Sequence, residues 1–363
     1  MFKDVKKILI VKLCCFGDIV FITPAICALR KRFPKAEITL LYSEWVKDLI
    51  PYLPYINNSI NFENPFEKNK IKLLAGGLKI LRMLRKEKFD LAFLGHTDNR
   101  FGLLLKLAGI KYRLGFSETK HLNYTAPFNY NLKESKRYLT ILENNGITDC
   151  DDNLVLKPSK NKNELKKQNG FNENDLVIGM FPFGGINPGT DMNIKRWSLH
   201  KYIELTQRIK NKFSNVKIIF FEGKLPEESI KEDIKTEFDK DIKITKINID
   251  LISMCDIFIS NDTGPLHIAS GFGVNTIGIF GPSDPNLVAP ESTGTVIHKN
   301  IWLNIACSPC YTPETARDKN NPKYWCDDKF ICYMIDNACM RDISVEMVFE
   351  EFKELIKNFK MSP

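Results

Sequence analysis

The sequence predicts an α/β protein of two domains, each carrying its own parallel sheet. Short, continuous apolar runs alternate with stretches of helical periodicity, the pattern of βαβ units whose strands are buried on both faces. At 363 residues the chain is long for one core. A polar, lysine- and asparagine-rich stretch from Lys157 to Asn174 interrupts the pattern, and a strand run restarts it at Leu176. The domains are therefore drawn as 1–157 and 158–343, with a closing helix over 344–363.

Lys7 to Leu13 is a β-branched run that reads as the first buried strand. It ends in Cys14-Cys15-Phe16-Gly17-Asp18, after which helical periodicity runs through Ala25, Leu29 and Phe33. The helix starts either at Thr23-Pro24 or at an Asp18 cap with a kink at Pro24. Ala36 to Tyr42 is the next strand and completes a βαβ unit. Asp18 thus lies at the carboxyl end of a first strand, where open α/β sheets keep their ligand crevice. A helix cap is its alternative role.

Phe62 to Leu74 is charged and poorly periodic, and reads as a surface loop or a lip of the cleft. Leu78 to Lys88 reads as a basic amphipathic helix whose Lys79, Arg82, Arg85, Lys86 and Lys88 face either solvent or phosphorylated lipid. Phe89 to Leu94 and Arg113 to Phe116 are later strands of this half.

In the second half, Leu176 to Phe181 is a strand running into Pro182-Phe183-Gly184-Gly185 and a loop that ends at Lys195-Arg196-Trp197. A helix over 199–212 and a strand over 216–221 follow, with Glu222 in the loop after the strand and Glu227 just beyond. Asp250 to Cys255 is a short helix. Ile257-Phe258-Ile259 then leads into Asn261-Asp262-Thr263-Gly264-Pro265-Leu266-His267, where a strand turns sharply into a helix opened by proline. Such a turn aims free backbone N–H groups outward from the positive end of a helix dipole, a ready site for phosphate or diphosphate. A capped strand–turn–helix with no ligand uses the same residue types. Lys195 and Arg196 on a neighbouring loop tip the balance, because a cation beside a helix N-terminus suits a diphosphate better than any packing requirement. Gly281-Pro282-Ser283-Asp284-Pro285 rims the same edge.

Composition narrows the partners. Lysine and arginine exceed aspartate and glutamate by eight, and the excess reads as spread along the chain. Nucleic acid is not implied; anionic ligands or an anionic membrane surface fit. With no spanning segment and no signal-peptide core, a cytoplasmic protein is expected. Its ten cysteines are then expected to be free thiols or metal ligands. Cys307-Ser308-Pro309-Cys310, with Cys326, Cys332 and Cys339 beyond it, could supply four thiolates to zinc or iron.

Nearly the whole chain resembles glycosyltransferase family 9, the ADP-heptose lipopolysaccharide heptosyltransferases. The resemblance is carried by Ile8-Leu9-Ile10-Val11 with Gly17-Asp18, by Lys195-Arg196-Trp197, by Asn261 to His267, and by Gly278-Ile279-Phe280-Gly281-Pro282-Ser283-Asp284-Pro285. It implies a GT-B type fold: two facing Rossmann-like domains with the active site in the interdomain cleft. It further implies inverting transfer without a metal, from a nucleotide-sugar donor such as ADP-heptose. Asp18 would be the general base and Lys195 the cation on the leaving diphosphate. Gly17, Arg196, Thr263, Gly264 and Pro265 would line the donor site, Asp262 and His267 would shape it, and Glu222 or Glu227 would hold the ribose. The acceptor would be a saccharide of the lipopolysaccharide core, another lipid-linked glycoconjugate, or a protein, reached with peripheral contact at the inner membrane. In such folds the closing helix over 344–363 packs back on the N-terminal domain. The segment 305–341 belongs to the donor domain, and similar cysteines in family members select Cys307, Cys310, Cys326 and Cys339 as metal ligands, leaving Cys332 spare. Cys14-Cys15-Phe16 stands where the family often has serine. Two other readings are a nucleotide-sugar epimerase of the same shape and a non-catalytic nucleotide-sugar-binding assembly protein.

Overall fold

The computed structural model describes residues 2–63, 65, 69–148, 151–187, 190–223, 242–334 and 336–360. The chain divides into two compact units, Met1–Lys157 and Pro158–Pro363.

The first unit runs β1 (Lys7–Val11), α1 (Phe16–Phe21), α2 (Thr23–Arg32), β2 (Glu37–Ser43), β3 (Asn58–Phe62), α3 (Lys70–Glu87), β4 (Leu91–Leu94), α4 (Asn99–Leu107), β5 (Tyr112–Phe116), β6 (Tyr124–Ala126) and α5 (Glu134–Glu143). Its sheet has the order β3-β2-β1-β4-β5-β6 with all neighbours parallel. The chain reverses direction across the sheet between β1 and β4, and the carboxyl ends of those two strands flank the switch point where such sheets bind ligands. Ile8 to Val11 and Leu91 to Leu94 are fully buried, which explains their continuous apolar runs. The start foreseen at Thr23-Pro24 occurs as α2, but the Asp18 cap does not: α1 already begins at Phe16 behind Cys15, with Asp18 inside its first turn, and the two helices break at Ile22. Pro24 has no N–H to donate to the Val20 carbonyl four residues back, and the Thr23 hydroxyl donates there instead at 2.7 Å. Part of the stretch read as a loop over 62–74 is helical, since α3 begins at Lys70 behind an Asn69 cap.

The second unit runs α6 (Lys162–Gln168), β7 (Leu176–Phe181), β8 (Ile186–Asn187), β9 (Thr190–Asp191), α7 (Leu199–Lys212), β10 (Val216–Glu222), β11 (Ile242–Lys246), α8 (Ile249–Met254), β12 (Ile257–Asn261), α9 (Gly264–Gly271), β13 (Asn275–Phe280), α10 (Pro285–Val288), β14 (His298–Trp302), α11 (Pro313–Arg317), β15 (Trp325–Cys326), β16 (Lys329–Phe330), α12 (Ala338–Arg341) and α13 (Val345–Lys360). Its main sheet, β11-β10-β7-β12-β13-β14, is also all parallel and repeats the strand order of the first unit. The switch point here lies between β7 and β12. A small sheet, β15-β16-β9-β8, joins the cysteine-rich segment to the loop before Lys195.

The closing helix, read from sequence as returning to the first domain, packs in the structure on α7, β13 and β14 of its own unit. Its apolar face includes Val348, Phe352 and Leu355, all buried, with Phe352 edge-on to Phe213 at 5.8 Å. Lys299 on β14 bridges to Glu351 and Glu354 along the same helix, at 2.9 and 2.8 Å.

Candidate active site

In the first unit the site is built where β1 ends. The Leu13 N–H donates to Nε2 of His96, which follows β4, at 2.9 Å. Burial, and then the nearby Lys12 ammonium, hold the His96 pKa well below its usual value, so the ring is neutral and able to accept that bond. Gly17 and Asp18 lie in the first turn of α1. Asp18 is met by Lys12, whose Nζ lies 2.7 Å from Oδ1. Lys12 is only 4% exposed and also donates to the Tyr138 hydroxyl at 2.7 Å and to the Gly95 carbonyl at 3.2 Å. Burial alone would depress its pKa. Asp18, then Tyr138 and Glu134, more than offset that, and the ammonium stays charged with a pKa well above the ordinary value. The Tyr138 hydroxyl in turn donates to Glu134 Oε1 at 2.9 Å, and buried Arg137 closes on Glu134. A chain of alternating charge therefore runs from the core out to the half-exposed Asp18 carboxylate. Gly95 is needed beside it: a Cβ there would come within 2.9 Å of Ile22 and 3.2 Å of the Lys12 stem.

In the second unit three loops meet at the carboxyl ends of β7 and β12. Asn261, fully buried at the end of β12, ties them together. Its Nδ2 donates to the Pro182 and Phe183 carbonyls at 3.0 and 3.3 Å, and its Oδ1 accepts from the Trp197 N–H at 3.0 Å and the Tyr202 hydroxyl at 3.1 Å. All four hydrogen-bonding positions of the amide are used. The next residue, Asp262, receives Lys195 Nζ at 2.6 Å on Oδ2 and His267 Nε2 at 3.3 Å on Oδ1. Burial by itself would raise this carboxyl. Lys195 and then His267 outweigh it and hold Asp262 far below the usual carboxylate range. Arg196 Nε donates to the Gly184 carbonyl at 3.0 Å. Gly184, at φ +117°, has no space for a Cβ, which would lie 2.3 Å from the Thr263 methyl.

Thr263 is the N-cap of α9, Gly264 and Pro265 its first two residues, and the Thr263 side chain makes no capping bond to the helix. The leading N–H groups of such a helix have no intrahelical acceptor. Beside this loop, on the turn after β13, the buried Ser283 hydroxyl has no partner among the described residues. Lys195, Arg196, Asp262, Thr263, Gly264, Pro265 and His267 are thus brought to one edge. Glu222 is buried at the end of β10, the strand next to β7; Glu227 lies outside the described residues.

The cysteine-rich segment braces this edge. The Lys195 ammonium sits over the Tyr311 ring, 4.5 Å from its centre, and Asn337 Nδ2 donates to the Ile194 carbonyl at 3.0 Å. The Cys310 and Tyr311 N–H groups both donate to the Pro282 carbonyl, at 3.0 and 2.8 Å. Cys339 is raised to about 12 by burial and then by Cys310, Cys307 and Cys332; Cys310 is raised to about 11 by burial and then by Cys332 and Cys307. The Tyr333 hydroxyl reaches the Cys307 carbonyl at 3.5 Å. Cys307 and Cys332 are therefore the thiols that bear on both Cys310 and Cys339. Cys326, chosen from sequence, is exposed on β15, while the spare Cys332 joins the group. Among the described residues, no set of three or more histidine, cysteine or acidic side chains is gathered closely enough to hold a metal ion.

Sequence reasoning did not single out Lys12, Tyr138, Tyr202 or Tyr311, and it named Asn261 only as part of a motif. A lysine just after an apolar strand was the one available signal, because lysine is rarely buried without a charged partner.

The model of glycosyltransferase family 9 (heptosyltransferase) matches residues 78–320, more than half of the chain. Lipooligosaccharide heptosyltransferase 2 of Campylobacter jejuni is 26% identical over 353 residues, covering 94% of this chain and 96% of that protein. The ADP-heptose lipopolysaccharide heptosyltransferase II of Escherichia coli superposes with a TM-score of 0.72 at 19% identity, over 98% of this chain and 99% of the other. The bacterial iron-containing dodecameric glycosyltransferase TibC of enterotoxigenic E. coli H10407 superposes with a TM-score of 0.59 at 12% identity, over 99% of this chain and 78% of the other. The two Rossmann-like units are those of a GT-B type fold. The chain belongs to glycosyltransferase family 9 and is a glycosyltransferase.

Proposed function

We propose that this enzyme transfers a heptose from ADP-heptose, with inversion at the anomeric carbon, to a saccharide of the lipopolysaccharide core. The observation that carries the proposal is the buried Lys195–Asp262–His267 cluster at the start of α9. Its support comes also from the named activity of the relatives across almost the full chain. A diphosphate needs a fixed cation and several N–H donors, and the cluster supplies both. Asp262 orients Lys195 while leaving the other ammonium hydrogens for phosphate oxygens. The Ser283 hydroxyl would gain the partner it lacks.

In the proposed reaction an acceptor hydroxyl oxygen attacks the sugar C1. Its proton passes to the Asp18 carboxylate, and the bond from C1 to the diphosphate oxygen breaks with its electron pair leaving on ADP. Lys195 and the α9 dipole stabilise that charge as it develops. No metal is required for these steps. Relatives named for lipopolysaccharide or lipooligosaccharide synthesis favour a lipid-linked saccharide acceptor and cytoplasmic chemistry; the non-catalytic assembly reading has no support in them. The donor assignment is tested by calorimetry with ADP, UDP and GDP and then their sugars. Selective binding of ADP and ADP-heptose is expected, and preference for UDP or GDP would discard heptose.

Soft thiolates suit zinc or iron, and the group Cys307, Cys310, Cys332 and Cys339 has the right donor chemistry. Burial pushes the Cys310 and Cys339 thiols up, so binding there must displace their protons. A metal there would tie the segment carrying Tyr311 to those carrying Cys332 and Cys339 and would serve structure alone. Metal analysis of the Cys332→Ser and Cys326→Ser variants decides it: loss of about one ion per chain is expected in the first only.

A further inference from the structure

The helix α3 carries two apolar faces, and only one of them is covered. Ile80 and Leu84 are buried in the core of the first unit, and Gly76 packs against Phe62. On the opposite side, Ile71, Leu74 and Leu78 recur at spacings of three and four residues and are 80%, 66% and 44% exposed. Leu103 and Leu107, one turn apart on α4, are 41% and 47% exposed. Arg85 Nε donates to the Leu107 carbonyl at 3.0 Å, which sets the end of α4 beside α3. Scattered surface leucines need no explanation, but a stripe that points away from the core does.

The surrounding charge identifies what would cover it. Residues 69–108 hold nine lysines and arginines against three acids, so the positive excess that reads as diffuse along the sequence is concentrated here. Lys79 is paired with Glu63 and Arg100 with Asp98, at 3.2 and 2.6 Å. Lys72, Arg82 and Lys86 are exposed and have no ion-pair partner among the described residues; Arg82 continues the apolar stripe toward the end of the helix. A helix with apolar residues along its outer stripe and lysine and arginine beside and beyond them suits an interfacial position, its apolar side chains among acyl chains and its cations among anionic headgroups. A protein partner would have to match that excess with acids around an apolar strip.

We propose that the outward face of α3, with the adjoining end of α4, docks this enzyme on an anionic lipid bilayer. The proposal stands independently of which sugar is transferred. It is tested by co-sedimentation of the full chain with vesicles of phosphatidylcholine alone and with about a third phosphatidylglycerol, at low and high salt. Binding is expected to the anionic vesicles only, and to weaken with salt as screening demands. Each basic residue near an anionic surface is worth about fivefold in partitioning, so Arg82→Glu with Lys86→Glu is expected to lower binding at least tenfold. Ile71→Ser with Leu74→Ser and Leu78→Ser, all exposed positions, is expected to lower it at least tenfold with unchanged circular dichroism. Absence of binding, equal binding to neutral vesicles, or full binding by both variants would overturn the proposal. A concentration-dependent dimer abolished by the serine variant would overturn it in favour of a second copy of the chain as occupant.

Discussion

Asn261 ties together the loops at the carboxyl ends of β7 and β12, and Asn261→Ala is the perturbation that measures it. The substitution removes four hydrogen bonds and leaves the Pro182 and Phe183 carbonyls, the Trp197 N–H and the Tyr202 hydroxyl without their partner. Tyr202 is buried enough that its phenol pKa is pushed well above the ordinary value, so bulk water does not replace the lost acceptor cheaply. Each buried polar group left unsatisfied costs about 1–3 kcal/mol. A water entering the vacated space would recover part of that sum. The expected destabilisation is about 3–5 kcal/mol, at the upper end of what one substitution does. Urea unfolding followed by tryptophan fluorescence reads it, since Trp197, Trp302 and Trp325 all lie in the second unit and only Trp45 in the first. Asn261→Leu, which restores volume without hydrogen bonding, is expected to be nearly as damaging. A loss below about 1 kcal/mol in either variant, with donor affinity intact, would refute the claim that this amide organises the three loops.

Two further substitutions follow from the charged groups. Lys12→Met removes the partner that orients Asp18, a charge-assisted bond worth about 1.5–3 kcal/mol. Turnover is expected to fall by about tenfold or more while donor affinity changes by less than about twofold; equal losses in both would mean a folding defect instead. Asp262, held far below its unfolded pKa of about 3.9, contributes stability that is fully present above that value and is lost as pH falls below it. Asp262→Asn is therefore expected to be less stable at neutral pH and to lose stability less steeply than the parent below about pH 4. Parallel acid limbs would contradict this.

The parts of the site that were legible in the sequence are those that a short stretch of chain makes by itself. Ile8 to Val11 and Ile257 to Ile259 read as buried strands because their apolar runs are continuous, and Thr263-Gly264-Pro265 read as a helix start because cap and proline chemistry is local. Lys195 and Asp262 were each placed at the right edge by the βαβ pattern, without their pairing being visible. What was hidden depends on contacts between distant residues. Asn261 stood inside a recognised motif, yet its role rests on partners at 182–183, 197 and 202. Lys12 read as the tail of a strand because Tyr138, which buries it, lies on a helix that periodicity did not reveal. That Cys326 is exposed follows from its place in the small antiparallel turn, and spacing carries no such information. The break at Ile22 lay between the two starts considered, since proline chemistry sets where a helix can begin and leaves open whether another precedes it.

The most direct test of the account is steady-state transfer from ADP-heptose by Asp18→Asn, measured with the donor affinity of the same preparation. The asparagine keeps the shape of the side chain and removes its ability to take a proton. Turnover is predicted to fall by about 10²–10⁴, the range a positioned general base contributes, with the donor dissociation constant within a few-fold of the parent. A variant that binds donor normally and turns over at close to the parent rate would contradict the assignment of Asp18 as the base and, with it, the proposed chemistry of the first unit.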